Sequence, residues 1–173
     1  MRKLLIVVDM QKDFIDGSLG TAEAQAIVEP LVELVKEYKP EDIIATRDTH
    51  PEHYLETQEG RNLPVVHCVK DTEGWQLDPR VQAAIGAAKI IDKPTFGSWE
   101  LAEEVAALAR QEELEITLCG LCTDICVVSN ALLLKARLPE TKVRVAADCC
   151  AGVTPASHAA ALETMKMCQV ELV

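Results

Sequence analysis

Apolar, β-branched runs alternate with amphipathic stretches along the whole chain. Leu4–Val8 is a continuous apolar run, the mark of a strand buried on both faces. Ile43–Thr46, Leu63–Val69, Lys89–Lys93, Ile116–Cys119 and Lys142–Ala147 repeat the pattern, and Val170–Val173 reads as a last edge strand. Between them the spacing turns helical. Ala24–Tyr38 places Ile27, Leu31, Leu34 and Val35 on one face, with Pro30 expected to kink it. Asp78–Ala88 reads as a helix capped by Asp78, with Pro79 at its first position. Trp99–Arg110 turns Leu101, Val105 and Leu108 inward, and Pro155–Met167 is a further helix. After a turn at Gly120, the spacing of Ile125, Val128, Leu132 and Leu133 predicts a helix capped by Thr123 or Asp124. Tyr54–Asn62 reads as polar and irregular, Asp148–Gly152 as a loop. With no repeat or linker, this alternation predicts one three-layer α/β/α, Rossmann-like domain over residues 1–173, with a mostly parallel sheet of about six strands.

Composition narrows the function classes. A chain of 173 residues fits a single core, and 49% hydrophobic with 26% charged residues is ordinary for a globular protein. The net charge is −11 and no basic cluster occurs, which argues against nucleic-acid partners. The apolar part of Met1–Asp9 is too short for a signal peptide, and no run approaches the ~20 apolar residues of a membrane span. Seven cysteines, an odd number, without a secretory signal predict reduced thiols and a cytoplasmic location.

Reactive side chains gather where strands end. Asp9, Lys93 and Cys126 each stand just past a different predicted strand. In a parallel sheet those ends share one edge, the usual place for a ligand crevice. Cys126 falls in the first turn after a strand-to-helix switch, where unpaired N–H groups and the helix dipole are expected to favour a thiolate. A neighbouring ammonium would lower the thiol pKa further, and a carboxylate can take and return its proton. The plain alternative is that strand ends collect polar residues anyway and that Cys126 is a small core residue.

A second group suits a metal ion. Asp48 and His50 lie two apart on an extended segment and so point the same way, and His67 follows. Two imidazoles and carboxylates fit Zn²⁺, Fe²⁺ or Mn²⁺. Glu59, His53 or Glu56 could complete the set, and the alternative is a solvated loop with a capping aspartate. Cys119, Cys122 and Cys126 lack a fourth cysteine at cluster spacing, which disfavours an iron–sulfur centre.

Several of these segments together resemble a known family. Val7-Val8-Asp9-Met10-Gln11-Lys12-Asp13-Phe14, Ala45-Thr46-Arg47-Asp48-Thr49-His50, Leu63-Pro64-Val65-Val66-His67-Cys68, Lys93 and Gly120-Leu121-Cys122-Thr123-Asp124-Ile125-Cys126-Val127 are similar, in the same order, to the isochorismatase-like cysteine hydrolases, in their nicotinamidase branch. The resemblance implies a cytoplasmic, metal-assisted amidohydrolase that converts nicotinamide to nicotinate and ammonia for NAD salvage, and deaminates pyrazinamide likewise. It implies Cys126 as the attacking thiolate, Asp9 as proton acceptor and Lys93 as the stabilising cation. The backbone N–H groups of Cys122 and Cys126 would form the oxyanion hole, with a cis peptide before Cys122. A divalent metal (zinc, iron or manganese) would sit on Asp48, His50, His67 and, in preference to His53, Glu59, and hold the pyridine nitrogen. Phe14 and Trp75 would sandwich the ring, Gln11 would contact substrate, and Phe96 or Trp99 would wall the pocket. Relatives commonly pack several copies, so a homo-oligomer is expected. The alternatives are another small amide or carbamoyl substrate, an isochorismatase-type vinyl ether, or a non-catalytic thiol or metal-binding protein. His158 reads as structural, and Cys149 and Cys150 have no assigned role.

Overall fold

The apolar runs form β1 (Arg2–Val8), β2 (Ile43–Asp48), β3 (Lys89–Lys93), β4 (Leu114–Leu121), β5 (Lys142–Ala151) and β6 (Glu171–Leu172) in a computed structural model that describes residues 1–173. All pairings are parallel, in the order β3-β2-β1-β4-β5-β6. Every residue of β4 and Leu4–Val8 of β1 are buried, because helices cover both faces of the central strands. The helices are α1 (Lys12–Ile15), α2 (Ala22–Ala26), α3 (Val28–Val35), α4 (Gln58–Asn62), α5 (Pro79–Ile85), α6 (Trp99–Ala109), α7 (Val128–Arg137) and α8 (Pro155–Met167). α3 packs with α5, and α7 packs with both α6 and α8. One contiguous apolar core runs through the sheet. No helix is long and apolar enough to cross a membrane.

The strand order reverses between β1 and β4, so a crevice opens there at the carboxyl ends. Gly120 sets how closely the two strands approach. Its φ is +118°, and a Cβ at that position would collide with the backbone of Val8, so only glycine serves.

Several local expectations need correction. Leu63–Val69 is no strand; apart from one bridge between Val69 and His50, it is an irregular segment, anchored instead by the Asp13 carboxylate on the Cys68 N–H at 2.8 Å. Ala24–Tyr38 divides into α2 and α3 at Ile27, which leaves Pro30 in the first turn of α3, where a missing N–H costs nothing. Tyr54–Asn62 contains a 3₁₀ turn, Tyr54–Glu56, followed by α4. β5 continues through Ala151 and includes Cys149 and Cys150. The segment after Cys122 opens as a π turn, Thr123–Val127, without a side-chain cap. Thr123 instead pairs with His158 (Oγ1 to Nδ1, 2.7 Å), and the Asp124 carboxylate accepts from the Val153 N–H at 3.2 Å. The extra residue in that turn rotates the following helix: Asn130, Ala131 and Leu134 are its buried positions, while Ile125, Val128, Leu132 and Leu133 are half-buried.

Candidate active site

The end of β1 places a carboxylate in the crevice. Asp9 follows Val8 with φ +48°, a left-handed conformation that costs a non-glycine residue of order 1 kcal/mol or more. Thr46 on β2 holds it there: the Asp9 N–H donates to the Thr46 carbonyl at 3.1 Å, and the Thr46 hydroxyl donates to Asp9 Oδ1 at 2.6 Å. Asp9 Oδ2 lies 2.6 Å from Lys93 Nζ, in an ion pair that is not aligned as a hydrogen bond. That oxygen therefore keeps a lone pair able to take a proton.

Lys93 closes β3 and reaches inward. Its ammonium also donates to the Thr95 carbonyl at 3.1 Å and to Cys126 Sγ at 3.3 Å. Asp9, Lys93 and Cys126 are 0%, 1% and 4% exposed, so their charges act with little screening. Burial opposes the charge on Lys93, but Asp9, Cys126 and Asp48 around it hold its pKa above the ordinary lysine value. Burial pushes the Asp9 carboxyl upward and Lys93 pulls it back. The Cys126 thiol is raised by burial and by Asp9, with Lys93 opposing. Burial thus works against the thiolate that the N–H groups and the dipole of the turn were expected to favour. Asp9, Lys93 and Cys126 meet in one buried contact, with a carboxyl group on one side of the ammonium and the thiol on the other.

Asn130, absent from the sequence expectations, ties this group together. Its amide donates to the carbonyls of Cys126 (2.8 Å) and Phe96 (3.1 Å), and its oxygen accepts from the Ser98 N–H at 2.9 Å. One buried side chain thus fixes the turn carrying the thiol to the loop that follows Lys93. The peptide between Leu121 and Cys122 is cis.

Beside Lys93 lies a cluster of Asp48, His50, Glu59 and His67, each offering one ligand atom within 4.8 Å of the others. His50 Nε2 is 2.9 Å from Asp48 Oδ2 and 3.6 Å from Glu59 Oε1; His67 Nε2 is 3.6 Å and 3.8 Å from the same oxygens. His67 Nδ1 pairs with the Val65 carbonyl at 2.7 Å, which leaves Nε2 facing the cluster, the arrangement that orients a ligating imidazole. Asp48 stays ionised well below the usual carboxylate range, burial being overcome by hydrogen bonds from His50 and His67. Two carboxylates and two imidazole nitrogens meeting in a mostly buried spot are the donor set of a divalent ion, and the residues fit one. His53 is exposed and outside the cluster. Tyr54 was unforeseen: fully buried, it packs on both imidazoles with ring centroids 4.7 Å and 5.0 Å away.

A cavity of about 520 Å³ opens over both groups, and Phe14, Phe96, Asp48, Glu59, His67 and Cys126 are among its lining residues. Gln11 and Trp75 do not line it, contrary to expectation. Gln11 points into the protein: its amide donates to the carbonyls of Asp48 (2.8 Å) and Trp75 (3.0 Å), and its oxygen accepts from the Asp48 N–H at 2.7 Å. The Trp75 indole N–H donates to Thr49 Oγ1 at 2.8 Å, and the Arg47 guanidinium covers its ring at 3.6 Å. Trp99 is outside the cavity too. Periodicity carries no signal for these inward hydrogen bonds, which connect residues far apart in the chain.

The profile of the isochorismatase domain family matches residues 3–173. The nicotinamidase/pyrazinamidase of Mycobacterium tuberculosis is 29% identical over 187 aligned positions, covering 99% of this chain and 98% of that protein. The nicotinamidase of Saccharomyces cerevisiae is 34% identical over 53% of this chain and 56% of its own length. Among solved structures, the pyrazinamidase of Pyrococcus horikoshii in complex with zinc superposes with a TM-score of 0.79 at 29% identity, covering 100% of this chain and 99% of that one.

Proposed function

The chain belongs to the isochorismatase family, and from that premise we propose that it is a nicotinamidase, a cysteine amidohydrolase that converts nicotinamide and water to nicotinate and ammonia. The observation that carries this reading is the buried contact of Asp9, Lys93 and Cys126 beside the four-donor cluster. Relatives that pair this fold with nicotinamidase and pyrazinamidase activity support the substrate.

Asp9 Oδ2 takes the thiol proton as Cys126 Sγ attacks the amide carbonyl carbon. Lys93 stays charged throughout and keeps the new carboxyl proton from moving toward itself. The tetrahedral oxyanion accepts hydrogen bonds from the backbone N–H groups of Cys122 and Cys126; one such donor is typically worth about 10²–10³ in rate. Asp9 then gives its proton to the leaving nitrogen, the C–N bond breaks, ammonia departs and a thioester to Cys126 remains. Water attacks the thioester while Asp9 accepts a proton from it, and the C–S bond breaks. The thiolate recovers that proton from Asp9, and the product leaves as nicotinic acid, which gives its own proton to water to become nicotinate. A divalent ion on Asp48, His50, Glu59 and His67 would bind the pyridine nitrogen and fix the ring; the zinc complex of the Pyrococcus horikoshii protein favours zinc. Phe14, on the cavity wall, offers a face for the ring.

The test is ammonia release from nicotinamide by metal-loaded protein, beside a chelated sample and Cys126→Ala. Release from the loaded protein and loss in both controls are expected. No release from the loaded protein would end the nicotinamidase reading.

A further inference from the structure

The cavity exceeds what the reaction needs. Its volume of about 520 Å³ is in the range of about 300–1,000 Å³ that takes drug-sized ligands, whereas nicotinamide is one ring with one carboxamide. One side of the outer wall is apolar, with Leu19, Leu63, Phe96, Ile125 and Val153, and Gln58 and Asn62 are the polar residues of the rim. Leu63, Phe96 and Val153 are 38%, 45% and 52% exposed, so apolar surface at the mouth faces water. Trp75, held under Arg47, does not close over it. No lysine or arginine lines the cavity, while Asp48 and Glu59 do. The wall is also anchored, since the Asp124 carboxylate holds the Val153 N–H.

Resting on the function above, we propose that this outer wall is a subsite for an apolar ring substituent, and that the enzyme hydrolyses pyridine-3-carboxamides carrying such a group at ring carbon 5. The two anchor points of the substrate are neighbours on the cavity floor, because Lys93 Nζ lies 3.3 Å from Cys126 Sγ and 3.8 Å from Asp48 Oδ1. The ring nitrogen, carbon 3 and carbon 5 alternate around a pyridine. With the nitrogen turned to the donor cluster and the carboxamide at Cys126, carbon 5 points to the mouth. An alkyl group there covers the Leu63, Phe96 and Val153 side chains. Each methylene fully removed from water is worth about fourfold in affinity. A carboxylate at the same carbon would meet no lysine or arginine in the lining.

Two measurements on metal-loaded protein test the proposal: kcat/KM of the wild type, and calorimetric binding to Cys126→Ala. Nicotinamide, 5-propylnicotinamide and 5-carboxynicotinamide are compared. The propyl compound is expected to be hydrolysed and to bind about tenfold tighter than nicotinamide, the carboxy compound to bind more weakly, and Val153→Asp to erase the propyl advantage. If nicotinamide is turned over but the propyl compound binds no tighter, the subsite falls and the nicotinamidase reading stands. If nicotinamide neither binds nor reacts, both fall.

Discussion

Replacing Gln11 with methionine separates a structural clamp from a substrate contact. The side chain keeps its volume but loses all three hydrogen bonds, to the Asp48 N–H, the Asp48 carbonyl and the Trp75 carbonyl. Gln11 is fully buried, so no water replaces them. Each orphaned group costs about 1–3 kcal/mol, and the three together about 3–5 kcal/mol, since carbonyl oxygens keep a second lone pair. For a chain of this length that lowers Tm by about 6–20 °C. The freed backbone carries Asp48, so metal affinity should fall by about 10–100-fold, as when a ligand loses its supporting partner. Urea denaturation and metal competition with a chromophoric chelator read the two effects. A variant as stable as the wild type, with unchanged metal affinity and only a raised KM for nicotinamide, would refute the clamp and restore Gln11 as a substrate contact.

Other substitutions test neighbouring parts of the site. Asn130→Ala should lower kcat by about tenfold or more with a smaller change in KM, measured by steady-state ammonia release, because it uncouples the Cys126 turn from the loop after Lys93. His50→Ala should leave the protein folded but reduce bound metal after dialysis, read by elemental analysis. Tyr54→Ala should destabilise by about 3–5 kcal/mol in urea melts through the cavity left behind the two imidazoles, and Tyr54→Phe, which keeps the packing and loses the hydrogen bond to the Leu63 carbonyl, should cost about 1 kcal/mol.

The architecture was legible because it rests on period. β1, β4 and β5 are apolar runs, and α5, α6 and α8 begin at Pro79, Trp99 and Pro155, where helical spacing and capping residues place them. The strand ends therefore marked the crevice, and Asp9, Lys93 and Cys126 stand there together. What the sequence concealed depends on long-range partners. Leu63–Val69 has strand composition yet lacks a full neighbouring strand, and a carboxylate on Asp13 holds it in place. Trp75 looked like a pocket aromatic, but Arg47 and Thr49 claim its ring and its N–H. The thiol of Cys126 looked acidic from its turn, whereas complete burial beside Asp9 reverses the direction. The preference for Glu59 over His53 rested on resemblance, and the fold gives its physical reason: the 3₁₀ turn at Tyr54–Glu56 and α4 carry Glu59 back to His50 and His67.

The covalent intermediate is the most direct test. Metal-loaded protein mixed with nicotinamide, quenched in acid within the first turnover and digested, should yield the Cys126 peptide heavier by one nicotinoyl group. Asp9→Asn, which cannot accept the thiol proton, should show none. Ammonia release with an unmodified Cys126 peptide at every quench time, together with turnover retained by Cys126→Ala, would contradict catalysis through the thiol.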